Sequence, residues 1–116
     1  MVEEAAALAS RLKHRLIKKD WTISTAESCT GGLISSLLTD ISGASAWFKQ
    51  GWIVYSNESK MRELGVESSA FDEGGHGAVS HKVAVQMARG ARYKSGSNIS
   101  IAVTGIAGPS GSSEDK

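Results

Sequence analysis

Trp21-Thr-Ile-Ser-Thr-Ala-Glu-Ser-Cys-Thr-Gly-Gly-Leu-Ile-Ser-Ser-Leu-Leu-Thr-Asp-Ile41 decides the fold of this chain. Its first six residues, Trp21 to Ala26, are short and rich in β-branched side chains, the composition of a strand. Glu27 to Gly32 then reads as a turn. Leu33, Ile34, Leu37, Leu38 and Ile41 recur at helical spacing, and Ser42-Gly43 stops that helix. A strand that turns directly into a helix is the half-unit of an α/β sheet.

The flanking sequence repeats the alternation. Upstream, Leu8, Leu12 and Leu16 with Ala5 and Ala9 mark one face of a helix over residues 2–19, and basic residues gather at its end. Downstream, Gln50 to Ser56 reads as a second strand. Asn57 is placed to cap a short helix that ends at Leu64-Gly65. Residues 66–79, with Gly74, Gly75 and Gly77, read as a loop. Ser80 caps a further helix carrying Val83, Ala84, Met87, Ala88 and Ala91, and Asn98 to Thr104 alternates as a third strand. The order α-β-α-β-α-α-β predicts a sheet covered on both faces, and the length predicts one domain over residues 1–116.

Thirteen Lys and Arg against twelve Asp and Glu leave a net charge of +1, which gives no electrostatic case for a DNA or RNA binder. No apolar run approaches the ~20 residues of a membrane span, and the acidic start Met-Val-Glu-Glu is unlike a secretory signal. One cysteine, Cys29, cannot form an internal disulfide, so a reducing cytoplasm is expected. His14, His76 and His81 show no metal-ligand spacing, so no metal is expected.

Three strands each run into a small polar cluster: Thr25-Ala-Glu-Ser-Cys-Thr-Gly-Gly32, Tyr55-Ser-Asn-Glu-Ser-Lys60 and Thr104-Gly-Ile-Ala-Gly-Pro-Ser-Gly111. If the strands are parallel, all three clusters meet at their carboxyl ends, where α/β sheets bind ligands. Ser28 on a strand-to-helix turn suits a nucleophile, and free N–H groups near Gly31 and Gly32 suit a phosphate. Equally, Ser28 and Thr30 could only cap the helix. Lys60 in a first helical turn would have a lowered pKa and could act as a base, with Ser56 as a local partner; otherwise it is a solvated lysine. Thr104 to Gly111 could cradle a phosphate or be a plain connection. Gly43-Ala-Ser-Ala-Trp-Phe48 is a fourth candidate, in which Ser45 could cap a helix or face the site. Trp47, Phe48 and Trp52 suit core or interface.

Taken together, Thr25–Gly32, Gly43–Phe48, Gly51–Lys60, Gly77-Ala-Val-Ser80 and Thr104-Gly-Ile-Ala-Gly-Pro109 resemble the C-terminal domain of the CinA (competence and damage-inducible) family, in the family's order. The resemblance implies a three-layer α/β/α sandwich with a mainly parallel sheet, forming a homo-oligomer, dimer or higher. It implies hydrolysis of nicotinamide mononucleotide to nicotinic acid mononucleotide and ammonia, without a cofactor. By position it implies catalytic roles for Ser28, Ser45, Tyr55 and Lys60, with either serine as nucleophile. It implies substrate contacts at Thr30, Gly31, Gly32, Asn57, Thr104, Gly105 and Gly108. Family members continue past the Lys116 position into further strands, a final helix and a basic site residue, so a domain lacking its C-terminal part is expected. Rival expectations are a nucleotide-binding module without turnover, and an oligomerising module that uses an exposed Trp47-Phe48 and Trp52 surface.

Overall fold

The computed structural model describes residues 2–71 and 80–105. Helix α1 (Val2–Lys19) leads into β1 (Ile23–Glu27), followed by α2 (Leu33–Thr39), a short 3-10 turn (Ala44–Ala46), β2 (Phe48–Ile53), α3 (Asn57–Leu64), a second 3-10 turn (Ser68–Phe71), α4 (His81–Ser95) and β3 (Ile99–Val103). The sheet has the order β2-β1-β3, and both pairings are parallel. The expected α/β/α layering is what the chain adopts.

Strand β1 lies between two neighbours and under helices on both faces, so all five of its residues are buried. Because side chains alternate along a strand, Ile23, Thr25 and Glu27 face one layer while Ser24 and Ala26 face the other. On the first side, Ile23 packs with Ala9, Leu16, Leu38, Ala44 and Trp47 beneath α1 and α2. On the second, Ala26 joins Val54, Leu64, Val66, Val83, Met87 and Ala91 beneath α3 and α4. The α1 stripe is Ala9–Leu12–Leu16, and Leu8 stays 61% exposed at its margin. Trp47 is a core residue, 1% exposed, and Phe48 and Trp52 pack half-buried against the two cores. The exposed Trp47-Phe48 and Trp52 surface expected for an oligomerising module is therefore absent among the described residues.

Strand β1 begins two residues later than its composition suggests. Asp20 adopts a left-handed conformation (φ 57°), and the Asp20 and Trp21 N–H groups return to Ile17 O and Leu16 O. This Schellman closure uses Trp21 to finish α1. Strand β2 lies two to three residues earlier than expected, because Ser56, not Asn57, is the N-cap of α3. The Ser56 hydroxyl accepts from the Ser59 N–H at 3.0 Å, which draws Tyr55 and Ser56 out of the strand. Ser80 caps α4 as expected, accepting from the Val83 N–H at 3.1 Å.

Candidate active site at the carboxyl ends of the strands

Parallel pairing brings the ends of β1 and β3 together with the start of α3. Register carries this: Glu27 lies beside both Ile53 and Val103. The Glu27 carbonyl accepts from the Val54 N–H at 2.8 Å, and the Ser28 N–H donates to Val103 O at 3.0 Å. Ser28 is thereby held against both neighbouring segments, with 5% of its surface exposed.

Lys60 is 1% exposed, not solvated. One turn into α3, its stem points into the sheet, and its Nζ donates to the Tyr55 carbonyl at 2.9 Å. The Ser28 hydroxyl donates to that same carbonyl at 3.3 Å. One main-chain oxygen therefore gathers a hydroxyl and an amine that are 32 positions apart in the chain. Burial holds the Lys60 ammonium below its ordinary pKa, against the raising influence of nearby Cys29. A lysine depressed in this way is more often neutral, which a base requires. Its proximity to the start of α3 was one sequence argument for that shift, but the cause in the structure is burial.

Tyr55 serves this arrangement through its backbone, since its side chain is 70% exposed. The Ser56 hydroxyl bonds with Ser59, and the Lys60 contact to Ser56 is the main-chain bond from the Lys60 N–H to Ser56 O at 3.1 Å. Ser45 lies in the turn just before β2, so the parallel register puts it at the opposite end of the sheet from Ser28 and Lys60. There it is exposed and lines a cleft with Asp40, Ser42 and Phe48. Thr104 and Gly105 follow β3 at the same end as Ser28, and Thr104 lines a depression with Ser80 and His81. Asn57 is exposed at the start of α3. Gly108 lies outside the described residues.

The turn after β1 is organised by a residue to which sequence reasoning gave no role. Glu27 is fully buried, and its carboxylate accepts from the Thr30 hydroxyl (2.7 Å), the Gly32 and Ile34 N–H groups (3.2 and 2.8 Å), and the Ser35 N–H and hydroxyl (2.8 and 2.6 Å). Burial pushes the Glu27 carboxyl up, but these bonds outweigh it and hold the pKa below the ordinary value. The Gly31 N–H meanwhile donates to Ser28 O. The Gly31 and Gly32 donors proposed for a phosphate are thus directed at the protein's own groups. Two signals could have located Glu27: its even offset from Ile23, and its position before an α2 that lacks a side-chain cap. Gly31 and Gly32 have φ of +60° and +108°, which explains glycine at both turn positions.

These features define a class: an α/β protein whose sheet gathers a buried serine and a buried lysine at the carboxyl ends of parallel strands. The chain belongs to the CinA C-terminal domain family, whose model matches residues 5–116. It is 47% identical over 116 residues to a Shewanella oneidensis protein named nicotinamide-nucleotide amidohydrolase PncC, and 46% identical to a CinA-like protein of Shewanella baltica. In both cases the match takes in all of this chain and 27% of the relative. The chain thus spans about a quarter of the length of these curated relatives. Among solved structures, the competence/damage-inducible protein CihA of Agrobacterium tumefaciens superposes with a TM-score of 0.89 at 46% identity, over 97% of this chain and 67% of that one. A CinA superfamily protein of Escherichia coli superposes with a TM-score of 0.87 at 37% identity, over 96% and 63%. Among the described residues no helix is long and apolar enough to cross a membrane, and no His, Cys, Asp and Glu cluster could hold a metal.

Proposed function

We propose that the chain carries the reacting pair of an amidohydrolase acting on nicotinamide mononucleotide, with Ser28 as nucleophile and Lys60 as its base. The single observation behind this reading is the shared Tyr55 carbonyl, which places a buried hydroxyl beside a buried lysine of lowered pKa. The name of the Shewanella oneidensis relative, a nicotinamide-nucleotide amidohydrolase, supports the substrate class. In this reading Lys60 Nζ takes the Ser28 proton as Oγ attacks the carboxamide carbon. The amide C–N bond then breaks, ammonia leaves with that proton, and an ester to Ser28 remains. Water hydrolyses the ester and releases nicotinic acid mononucleotide. Tyr55 contributes its carbonyl, and Thr104 and Gly105 border the space left for the nucleotide.

The test is ammonia release from nicotinamide mononucleotide by the protein and by Ser28→Ala and Ser45→Ala variants. Release that is abolished by Ser28→Ala and retained by Ser45→Ala supports the reading. The reverse pattern, or a folded wild type without release, overturns it. A second reading, a nucleotide-binding module without turnover, draws on the burial of both reacting heads, 5% and 1% exposed. Calorimetry showing nucleotide binding without ammonia would favour it.

A further inference from the structure

We propose that Glu27 is a positioning residue: its carboxylate fills the amino end of α2 and thereby fixes the loop Ser28–Gly32 that presents Ser28. The proposal rests on the reading of Ser28 and Lys60 as the reacting pair. Five donors address this carboxylate, and a carboxylate offers only about four lone-pair sites. It has no capacity left for a substrate or a proton, so its part in the reaction is indirect. Helix α2 has seven residues and no side-chain cap at Gly32, so without Glu27 the Gly32, Ile34 and Ser35 N–H groups are orphaned. The Glu27 main chain is held to β2 and the Ser28 N–H to β3, while the Glu27 side chain holds α2. The peptide that carries Ser28 is consequently fixed from three directions. A second, outer contact completes the anchor. The Ser35 hydroxyl donates to Glu27, so its own oxygen accepts from the Thr25 hydroxyl, 2.8 Å away.

Removing the charge while keeping the shape tests this. Glu27→Gln leaves an amide N–H₂ opposite one set of donors, and the loop shifts without the core being touched. Displacements on the 1 Å scale cost a reacting group about 10²-fold, so kcat for ammonia release should fall at least about 10-fold while KM moves less than about 3-fold. Cys29, the sole thiol, lies in the same loop and is half-buried. Its labelling by iodoacetamide at fixed pH should accelerate by a factor at least about 5 times larger than any loss of amide protection across α4, as expected of a local opening beyond the loss of global stability. The proposal is overturned if folded Glu27→Gln keeps both the wild-type kcat and the wild-type labelling rate. It is also overturned if α4 protection falls in step with the labelling, because Glu27 would then only hold the fold. Should Glu27→Gln not fold, Ser35→Ala carries the same comparison, with labelling and kcat moving the same way by smaller factors. A wild type that releases no ammonia removes the amidase reading alone, and labelling against amide protection still decides the role of Glu27.

Discussion

Replacing Gly51 with alanine is the most direct way to disturb the Glu27 anchor from the neighbouring strand. Gly51 pairs with Thr25 in the ladder. A Cβ at this position would sit 2.7 Å from Ser35 Oγ and 2.7 Å from Thr25 Oγ1, closer than the 3.0 Å that real Cβ atoms respect. Those two hydroxyls bond each other at 2.8 Å, and the Ser35 hydroxyl donates to the Glu27 carboxylate. Alanine therefore either breaks the Thr25–Ser35 bond or pushes Ser35 off the carboxylate. Thr25 is fully buried, and a stranded hydroxyl costs about 1–3 kcal/mol. Weakening a hydrogen bond to a charged group costs about 1.5–3 kcal/mol. Against this, alanine recovers about 0.5–1 kcal/mol of glycine's backbone entropy.

The net loss expected is about 0.5–2.5 kcal/mol, or a drop in Tm of up to about 10 °C. Urea unfolding followed by tryptophan fluorescence measures it. A cycle with Ser35→Ala identifies the cause: in that background one of the two clashing oxygens is gone, so Gly51→Ala should cost at least about 1 kcal/mol less. A loss below about 0.5 kcal/mol, or the same loss in both backgrounds, refutes the reasoning.

The other expectations concern one helix contact and three side chains. Gly90→Ala drives a Cβ to 2.1 Å from Leu64 O and 2.9 Å from Leu64 C, backbone atoms that cannot turn aside, so urea unfolding should show a loss of about 3 kcal/mol despite better helix propensity. Lys60→Met removes a buried amine whose folded pKa lies below its ordinary 10.5, so the wild type carries a penalty that is full below the folded pKa and fades as pH rises towards 10.5. The variant should melt higher at pH 7, with the difference narrowing at alkaline pH, and should lose at least about 10²-fold in ammonia release. Glu27 has the opposite sign. Its folded pKa lies below 4.5, so its stabilisation is complete above that pH and is lost as pH falls through the folded value. Melting temperatures taken from pH 6 downward should therefore fall more steeply for the wild type than for Glu27→Gln. Tyr55→Phe keeps the carbonyl and removes an exposed hydroxyl, so kcat should stay within about 3-fold and stability within about 0.5 kcal/mol of the wild type.

What the sequence made legible followed from periodicity and from turn chemistry. The helical repeat after Gly32, the alternation of Ile99, Ile101 and Val103, and the Ser80 cap all appear where their local signals put them. Boundaries moved where a hydrogen bond decided between two adjacent residues, as at Trp21 and Ser56. At the candidate site, Ser28 and Lys60 converge because parallel strands deliver both at carboxyl ends, which the α-β alternation implied. Ser45 could not be placed by motif, because a motif records order along the chain and not which end of a strand a turn occupies. The carbonyl of Tyr55, a residue the sequence did name, and the part of Glu27 were illegible for a different reason. Tyr55 acts through a carbonyl that every residue possesses, and Glu27 acts on donors up to eight residues ahead that belong to the backbone.

The two buried charged residues among the described residues show which of these positions the fold requires. Glu27 faces five donors and ends below its ordinary pKa, so its charge is stabilised by its surroundings, and an apolar residue in its place would leave the start of α2 unpaired. Lys60 has the converse balance. It carries three N–H donors, its described hydrogen bond goes to one carbonyl, and burial acts against its charge. Its neighbour in the α3 face, Leu64, packs in the core that a methionine at position 60 could equally join. Stability therefore accounts for Glu27 and does not account for Lys60. A residue that breaks a local rule without a compensating structural gain is where function is expected. The carbonyl that holds Lys60 also holds the Ser28 hydroxyl, so the unexplained charge and the candidate nucleophile share one small volume.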